Sequence, residues 1–169
     1  MSPESRPQVE ISQEFTHLDE DGRVRMVDVG DKDVTTRRAK ARGTVLMAEE
    51  TLGMIINQDL KKGDALSAAR IAGIMAAKRA SDIIPLCHPL ALSHVSLTVD
   101  PKPGQGRLEI EAEVRCEGRT GVEMEALTAV AGAALTIYDM VKAVDRGVTL
   151  TDIKLMEKSG GQSGTWNRM

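Results

Sequence analysis

Aromatic residues are nearly missing from this chain. Phe15, Tyr138 and Trp166 make up 2% of its 169 residues, and two of the three lie near its ends. A protein that stacks nucleobases on aromatic platforms needs more of them, carried on mid-chain strands. No surplus of positive charge compensates: the net charge is −3, so no global basic field draws in nucleic acid. There are two cysteines, Cys87 and Cys116, in different contexts and with no CxxC. A disulfide framework is therefore not expected, and a reducing, cytoplasmic compartment fits. The three histidines and two cysteines show no zinc-ligand spacing, so neither a structural nor a catalytic metal is expected. The longest apolar stretch, Ala126 to Ile137, is too short to span a bilayer and is interrupted by Thr and Gly. The polar, Pro- and Glu-bearing N-terminus does not read as a signal peptide.

What is present suits one compact domain, with 41% hydrophobic residues. Residues 1–25 are polar and proline-bearing and read as a loose N-terminal arm. Residues 26–164 read as a single α+β domain, and residues 165–169 as a C-terminal tail. Ala39 to Met47 alternates small or apolar residues with Lys40, Arg42 and Thr44, as a half-buried strand does. Glu49 to Gln58 carries a helical stripe in Leu52, Ile55 and Ile56. Gly63-Asp64 turns the chain, and Ala65 to Ser81 is an Ala-rich helix that Pro85 and Pro89 cannot continue. Leu90 to Val99 and Arg107 to Cys116 alternate again, joined by a loop over 100–106, and predict an antiparallel pair. A long helix follows over 121–145, then a strand over Val148 to Met156 and a Gly-rich tail.

With one helix counted as extra, that order is β-α-β-β-α-β, the ferredoxin-like split βαβ motif: a four-stranded antiparallel sheet with helices on one face. The uncovered sheet face, and alanines that let helices approach closely, favour a homo-oligomer.

Two segments carry the chemistry. In the long helix, Glu123 and Glu125 open the run, and Asp139 and Lys142 close it three residues apart on one face. The acids also suit a helix N-terminus, and Asp139 with Lys142 also reads as a surface ion pair. The functional reading is an acid and a base held on a rigid element. In Ile83 to Leu90, two prolines clamp Cys87-His88 inside an apolar sequence; buried packing and a satisfied structural histidine are the plainer readings there. The run 157–164 is Gly-rich but lacks GxxxxGK[ST]. It is a tail, or a lysine beside glycine amides that can bind an anion. Arg37-Arg38 and Lys61-Lys62 are solvated charges or contacts for a phosphorylated ligand.

Taken together, IPLCHPL (84–90), GVEMEALTA (121–129), YDMVKAVD (138–145) and KSGG (158–161), with MVDV (26–29), KGD (62–64) and ARIAGIMAAKR (69–79) upstream, closely resemble one family. It is the cyclic pyranopterin monophosphate synthase family of molybdenum cofactor biosynthesis (molybdenum cofactor biosynthesis protein C). Each motif is modest alone; in this order they are highly specific, and they cover about Thr16 to Gly164. The resemblance implies a lyase acting on (8S)-3′,8-cyclo-7,8-dihydroguanosine 5′-triphosphate, a guanosine triphosphate already cyclised between ribose and guanine. The products are cyclic pyranopterin monophosphate and pyrophosphate. It implies the same ferredoxin-like fold, a homohexamer assembled as a trimer of dimers, and no metal or organic cofactor. Carried onto this sequence, it marks Lys62, Asp139 and Lys142 as catalytic acid–base groups. Asp28, Arg37, Lys78, His88 and Lys158 fall at substrate or phosphate contacts. Leu86 and Cys87, with Glu123, Met124 and Glu125, fall at the guanine end. Opening a purine at a C–N bond and rebuilding it needs several proton transfers, and a lysine of lowered pKa beside a carboxylate suits that task.

Two other readings remain at this point. One is a nucleotide-binding module of the same fold without chemistry, which would need cations but no neighbouring acid. The other is a nucleic-acid-binding α+β protein, disfavoured by acidic balance and missing aromatics. Geometry adds one expectation. Glu123 and Asp139 are 16 residues apart, ~24 Å along a continuous helix, so a site using both ends must be shared between two chains.

Overall fold

Period-two alternation in the first strand sets the layout. In β1 (Thr35–Leu46), Arg37, Ala39, Ala41 and Val45 are buried, while Arg38, Lys40 and Arg42 point the other way. The computed structural model describes residues 21–169, and most of the expected N-terminal arm lies outside the described residues. After β1 come α1 (Glu49–Ile56), α2 (Ala65–Ala77), the single turn α3 (Ala80–Ile83), β2 (Leu92–Lys102), β3 (Arg107–Gly118), α4 (Glu123–Val141), β4 (Thr149–Ser159) and β5 (Trp166–Asn167). The strand order is β2-β3-β1-β4-β5 and every pairing is antiparallel. The first four strands are the split βαβ sheet of the ferredoxin-like fold.

The differences from the sequence reading have local causes. β1 starts at Thr35 rather than Ala39, because Thr36 and Arg37 keep the alternation and pair with Glu117 and Cys116. The helix from Ala65 stops at Ala77; Lys78 is its C-cap, and Arg79, at φ −118°, breaks the path before α3. β2 runs on through Pro101 to Lys102, so the expected loop over 100–106 shrinks to a turn. The tail contributes β5, a fifth strand beyond the expected four.

α2 and α4 pack on the face formed by Ala39, Ala41, Leu97, Leu108, Ile110, Ala112 and Val114. Burying a Leu, Ile or Val side chain there contributes about 1.5–3 kcal/mol. The small residues foreseen on the helices do let them approach: a Cβ on Gly132 would lie 2.6 Å from the Ala76 methyl. α4 has the length and composition of a membrane span, but Ala126, Ala129, Val130, Ala133, Ala134 and Ile137 face this core.

Among the described residues, the opposite sheet face carries no helix. Ion pairs cover it: Arg38 with Glu113 and Glu157 (both 2.8 Å), Arg42 with Glu111 (2.6 Å) and Arg115 with Glu113. The Arg38 hydrogen bond, ahead of Arg115, holds the Glu113 carboxyl down to about 2. The face the sequence left uncovered is thus a charge lattice, not an apolar surface.

Candidate active site

The chain path explains how Lys62 reaches α4. Leu60 is buried and its carbonyl accepts the Gly63 N–H in a tight turn. Gly63 sits at φ +91°, where a side chain is disfavoured, and Asp64 caps α2 by accepting from the Ser67 N–H at 3.0 Å. The Lys-Gly-Asp run is therefore a displayed lysine, a left-handed hinge and a helix cap. Upstream, α1 has no side-chain cap of its own. Asp145, in the turn after α4, supplies one by accepting from Ala48 N (3.0 Å) and Thr51 Oγ1 (3.1 Å). The α1 segment is thereby pinned to the C-terminal end of α4 at its start by Asp145 and beyond its end by Lys62.

There Lys62 Nζ donates to the Asp139 carbonyl at 2.6 Å and to Asp139 Oδ2 at 2.7 Å. Lys142 Nζ lies 2.7 Å from Asp139 Oδ1. Lys62 joins this carboxylate from 77 residues away in sequence. The Lys142 and Lys62 hydrogen bonds hold the Asp139 carboxyl at about 2, and Asp139 in turn pushes Lys142 above its ordinary value. For Lys142 this reverses the lowered lysine that the chemistry suggested, because the nearest charge is an exposed carboxylate rather than another cation.

The other end of α4 faces two open basins that share Lys32, Thr120, Gly121 and Glu123. One, of about 410 Å³, brings Leu86, Cys87 and His88 against Glu123, Met124 and Glu125. Glu125 is 4% exposed, and no cation pairs with it among the described residues. Burial, then the neighbouring Glu123 charge, raises its carboxyl. Burial raises the Cys87 thiol, with Glu125 and Glu123 adding to the shift. Gly121 leaves room for the Glu123 carboxylate, which a Cβ there would strike.

The second basin, of about 560 Å³, is cationic, with Lys32, Arg37, Arg119 and Lys158 among its walls. Lys158 pairs with Glu123 at 3.0 Å. Arg37 is buried, donating to the carbonyls of Gly118 (3.1 Å) and Arg119 (3.2 Å). Gly160 and Gly161 both have positive φ; a Cβ on the first would overlap the Thr36 carbonyl, and on the second the Arg37 guanidinium. The double glycine is thus what lets this loop close over Arg37.

Sequence-marked residues therefore separate into two groups. Lys62, Asp139 and Lys142 form one cluster; Leu86, Cys87, His88, Glu123, Met124, Glu125, Arg37 and Lys158 line the paired basins. Lys78 and Asp28 line neither: Lys78 is exposed at the end of α2, and Asp28 turns back to accept from the Gly30 N–H at 2.8 Å. Lys32 and Arg119 escaped the sequence reading. Arg119 anchors the segment before β1 by donating to the Gly30 carbonyl at 2.6 Å. Its position two residues before Gly121 was the available signal. Among the described residues, no group of three or more His, Cys, Asp or Glu is placed to hold a metal ion.

Comparison with known proteins places the chain in a family. Residues 26–161 match the MoaC family model. A Chloroflexus aurantiacus protein named cyclic pyranopterin monophosphate synthase is 60% identical over 159 residues, 94% of this chain and 98% of its own length. One of the same name from Desulforapulum autotrophicum is 61% identical over 153 residues, 90% of this chain and 94% of its own. A Mycobacterium tuberculosis protein, cyclic pyranopterin monophosphate synthase 3, is 60% identical over 154 residues, 91% of this chain and 86% of its own. With the matched segment spanning every marked residue of both clusters, the chain belongs to the MoaC family.

Proposed function

We propose that this protein is the lyase that converts (8S)-3′,8-cyclo-7,8-dihydroguanosine 5′-triphosphate to cyclic pyranopterin monophosphate, releasing pyrophosphate, in molybdenum cofactor biosynthesis. Family membership supports the reaction. The observation that carries the chemistry is the carboxylate of Asp139 gripped by two lysines, Lys62 and Lys142, each at 2.7 Å. A non-catalytic nucleotide-binding module needs cations but no acid among them. Lys142 is protonated at neutral pH as an ordinary lysine is, and Asp139 shifts it further toward that form, so it enters the reaction as a proton donor. Having donated, it is a base beside a carboxylate, able to take a proton in a later step. The cationic basin suits the triphosphate: Arg37 and Lys158 stabilise charge developing on the departing pyrophosphate. Glu125, biased toward its protonated form, presents hydrogen-bonding capacity to the guanine edge beside Leu86, Cys87, His88, Glu123 and Met124. Lys78 and Asp28 contact substrate only after a change in the chain or from another copy.

α4 is unbroken from Glu123 to Val141. Its two functional ends therefore lie ~24 Å apart, too far to surround one purine. The working site pairs the Lys62–Asp139–Lys142 cluster of one copy with the basins of a second, in a homohexamer built as a trimer of dimers. Exposed Ile71, Met75 and Leu135 on the helix layer supply apolar contact surface for such copies. The enzyme works in the cytoplasm, as one catalytic domain over 26–164, and needs no metal or organic cofactor. Supplying the isolated cyclised nucleotide and assaying pyrophosphate tests the reading: steady release is expected, whereas binding without release would leave only the nucleotide-binding module.

A further inference from the structure

The C-terminal strand lies outside the residues that match the family model, which end at Gly161. It nevertheless touches the cationic basin's framework. Trp166 pairs with Lys158 and Asn167 with Glu157. The Arg168 N–H donates to the Met156 carbonyl at 2.8 Å, and its Nε donates to the Leu155 carbonyl at 2.6 Å. The guanidinium also stacks at 5.6 Å from the centre of the Trp166 ring. On its other side Lys158 pairs with Ala39 of β1. β5 thus turns the last part of β4 from a sheet edge into an inner strand exactly where Lys158 stands. Directly opposed residues share a sheet face, so the indole lies on the side from which Lys158 reaches Glu123 at 3.0 Å. The connecting turn, closed by the Gly164 N–H on the Gly161 carbonyl, carries the Gly160–Gly161 backbone over Arg37.

We propose that β5 is a positioning element for anion binding: Trp166 and Arg168 hold Lys158 and the Gly160–Gly161 turn in the register that grips a diphosphate group. This rests on the reading of the basin as the triphosphate site. Neither residue touches the ligand; both act through β4. The test uses the full chain with Arg168→Pro, which removes the strand N–H and the guanidinium, Arg168→Ala, which removes only the latter, and Arg168→Lys. Inorganic pyrophosphate is the probe, by calorimetry, and Trp166, the sole tryptophan, reports release of the strand by its emission. Expected for Arg168→Pro are a red-shifted emission maximum, pyrophosphate affinity lower by about tenfold, and a raised KM with kcat within about twofold. Arg168→Ala should fall between it and the parent, and Arg168→Lys nearer the parent. If the parent binds pyrophosphate and Arg37→Ala abolishes that binding, but Arg168→Pro leaves the affinity unchanged, the positioning role is wrong and the anion site stands. An unshifted emission in Arg168→Pro likewise overturns the placement of β5. A parent that does not bind pyrophosphate overturns both readings.

Discussion

The two ends of α4 shift the same functional group in opposite directions. At its N-terminal end the Glu125 carboxyl is buried beside Glu123 and lifted toward the protonated form. At its C-terminal end the Asp139 carboxyl is exposed, flanked by two ammonium groups and held at about 2. Residue type does not decide between them. Desolvation disfavours charge at one end, and hydrogen bonds from lysines favour it at the other. A single helix thereby carries one carboxyl shifted toward the protonated form and one shifted toward the ionised form. The helix is also the ruler that keeps the two apart within one chain.

The harshest way to break the contrast is to remove the charged end. Lys142→Ala should lower kcat by about 10³-fold or more, as expected for loss of a catalytic proton donor. Folding should be almost unaffected, because Lys142 is exposed and its pair with Asp139 is of a kind that adds little stability. Pyrophosphate release from the cyclised nucleotide, with circular dichroism as the folding check, measures both. Near-normal release would remove Lys142 from the mechanism.

A second experiment asks whether the ends meet across chains. Where Glu125→Ala and Asp139→Ala prove inactive alone and chains exchange, co-refolded mixed dimers should regain about half of the parental turnover. One of the two sites in each such dimer then receives an intact glutamate end and an intact lysine–aspartate end. Verified mixed dimers that stay inactive would defeat the shared site.

How far each end was legible in the sequence follows from the same physics. Asp139 and Lys142 are three residues apart on a helix, so their contact could be read from spacing alone. Lys62 could not be placed that way, because its approach depends on the buried Leu60 and the turn at Gly63, and no local pattern encodes an approach across 77 residues. At the other end, the meeting of Cys87-His88 with Glu123 and Glu125 came from family resemblance, not periodicity. Arg119 and Lys32 were not singled out from the sequence; the first matters through a backbone carbonyl, which leaves no trace in residue type. Strands were legible where one face is apolar. The start of β1 and the end of β2 were misjudged where charged or proline-bearing residues continue the pairing, and β5 is held by backbone hydrogen bonds and the Arg168 Nε bond to the Leu155 carbonyl, not by hydrophobic alternation.

A smaller effect isolates the tether of α1 to the charged end. Asp145→Ala removes acceptors for Ala48 N, Thr51 Oγ1 and the Gly147 N–H at 2.9 Å. Loss of a helix cap of this kind costs about 1 kcal/mol. Chemical denaturation should show the midpoint falling without a change in slope. An unchanged midpoint would mean that solvent satisfies these donors equally well.

The finest test concerns the buried end and turns on sign. Because the folded-state pKa of Glu125 lies above its unfolded value, the native state binds the proton more tightly than the unfolded chain does. Its stabilising contribution is complete below the ordinary glutamate range and is lost as pH rises through the folded pKa. At neutral pH the chain therefore bears the cost of a buried, unpaired carboxylate or of keeping it protonated. Glu125→Gln keeps the shape and removes that cost. It should raise Tm by about 3 °C at pH 7.5, the shift produced by roughly 1 kcal/mol in a chain of this size. The advantage should shrink toward zero as pH falls below 4.5, the ordinary value for this group. For Asp139→Asn the dependence runs the other way, since its folded pKa is depressed to about 2. Whatever stability the lysines draw from Asp139 is fully present above its ordinary value of 3.8 and is lost as pH falls from there through about 2. Thermal unfolding of both variants from pH 3 to 8 compares the two ends directly. If Glu125→Gln is less stable than the parent at every pH, its carboxylate is paired in the working assembly, and the contrast between the ends of α4 belongs to the isolated chain alone.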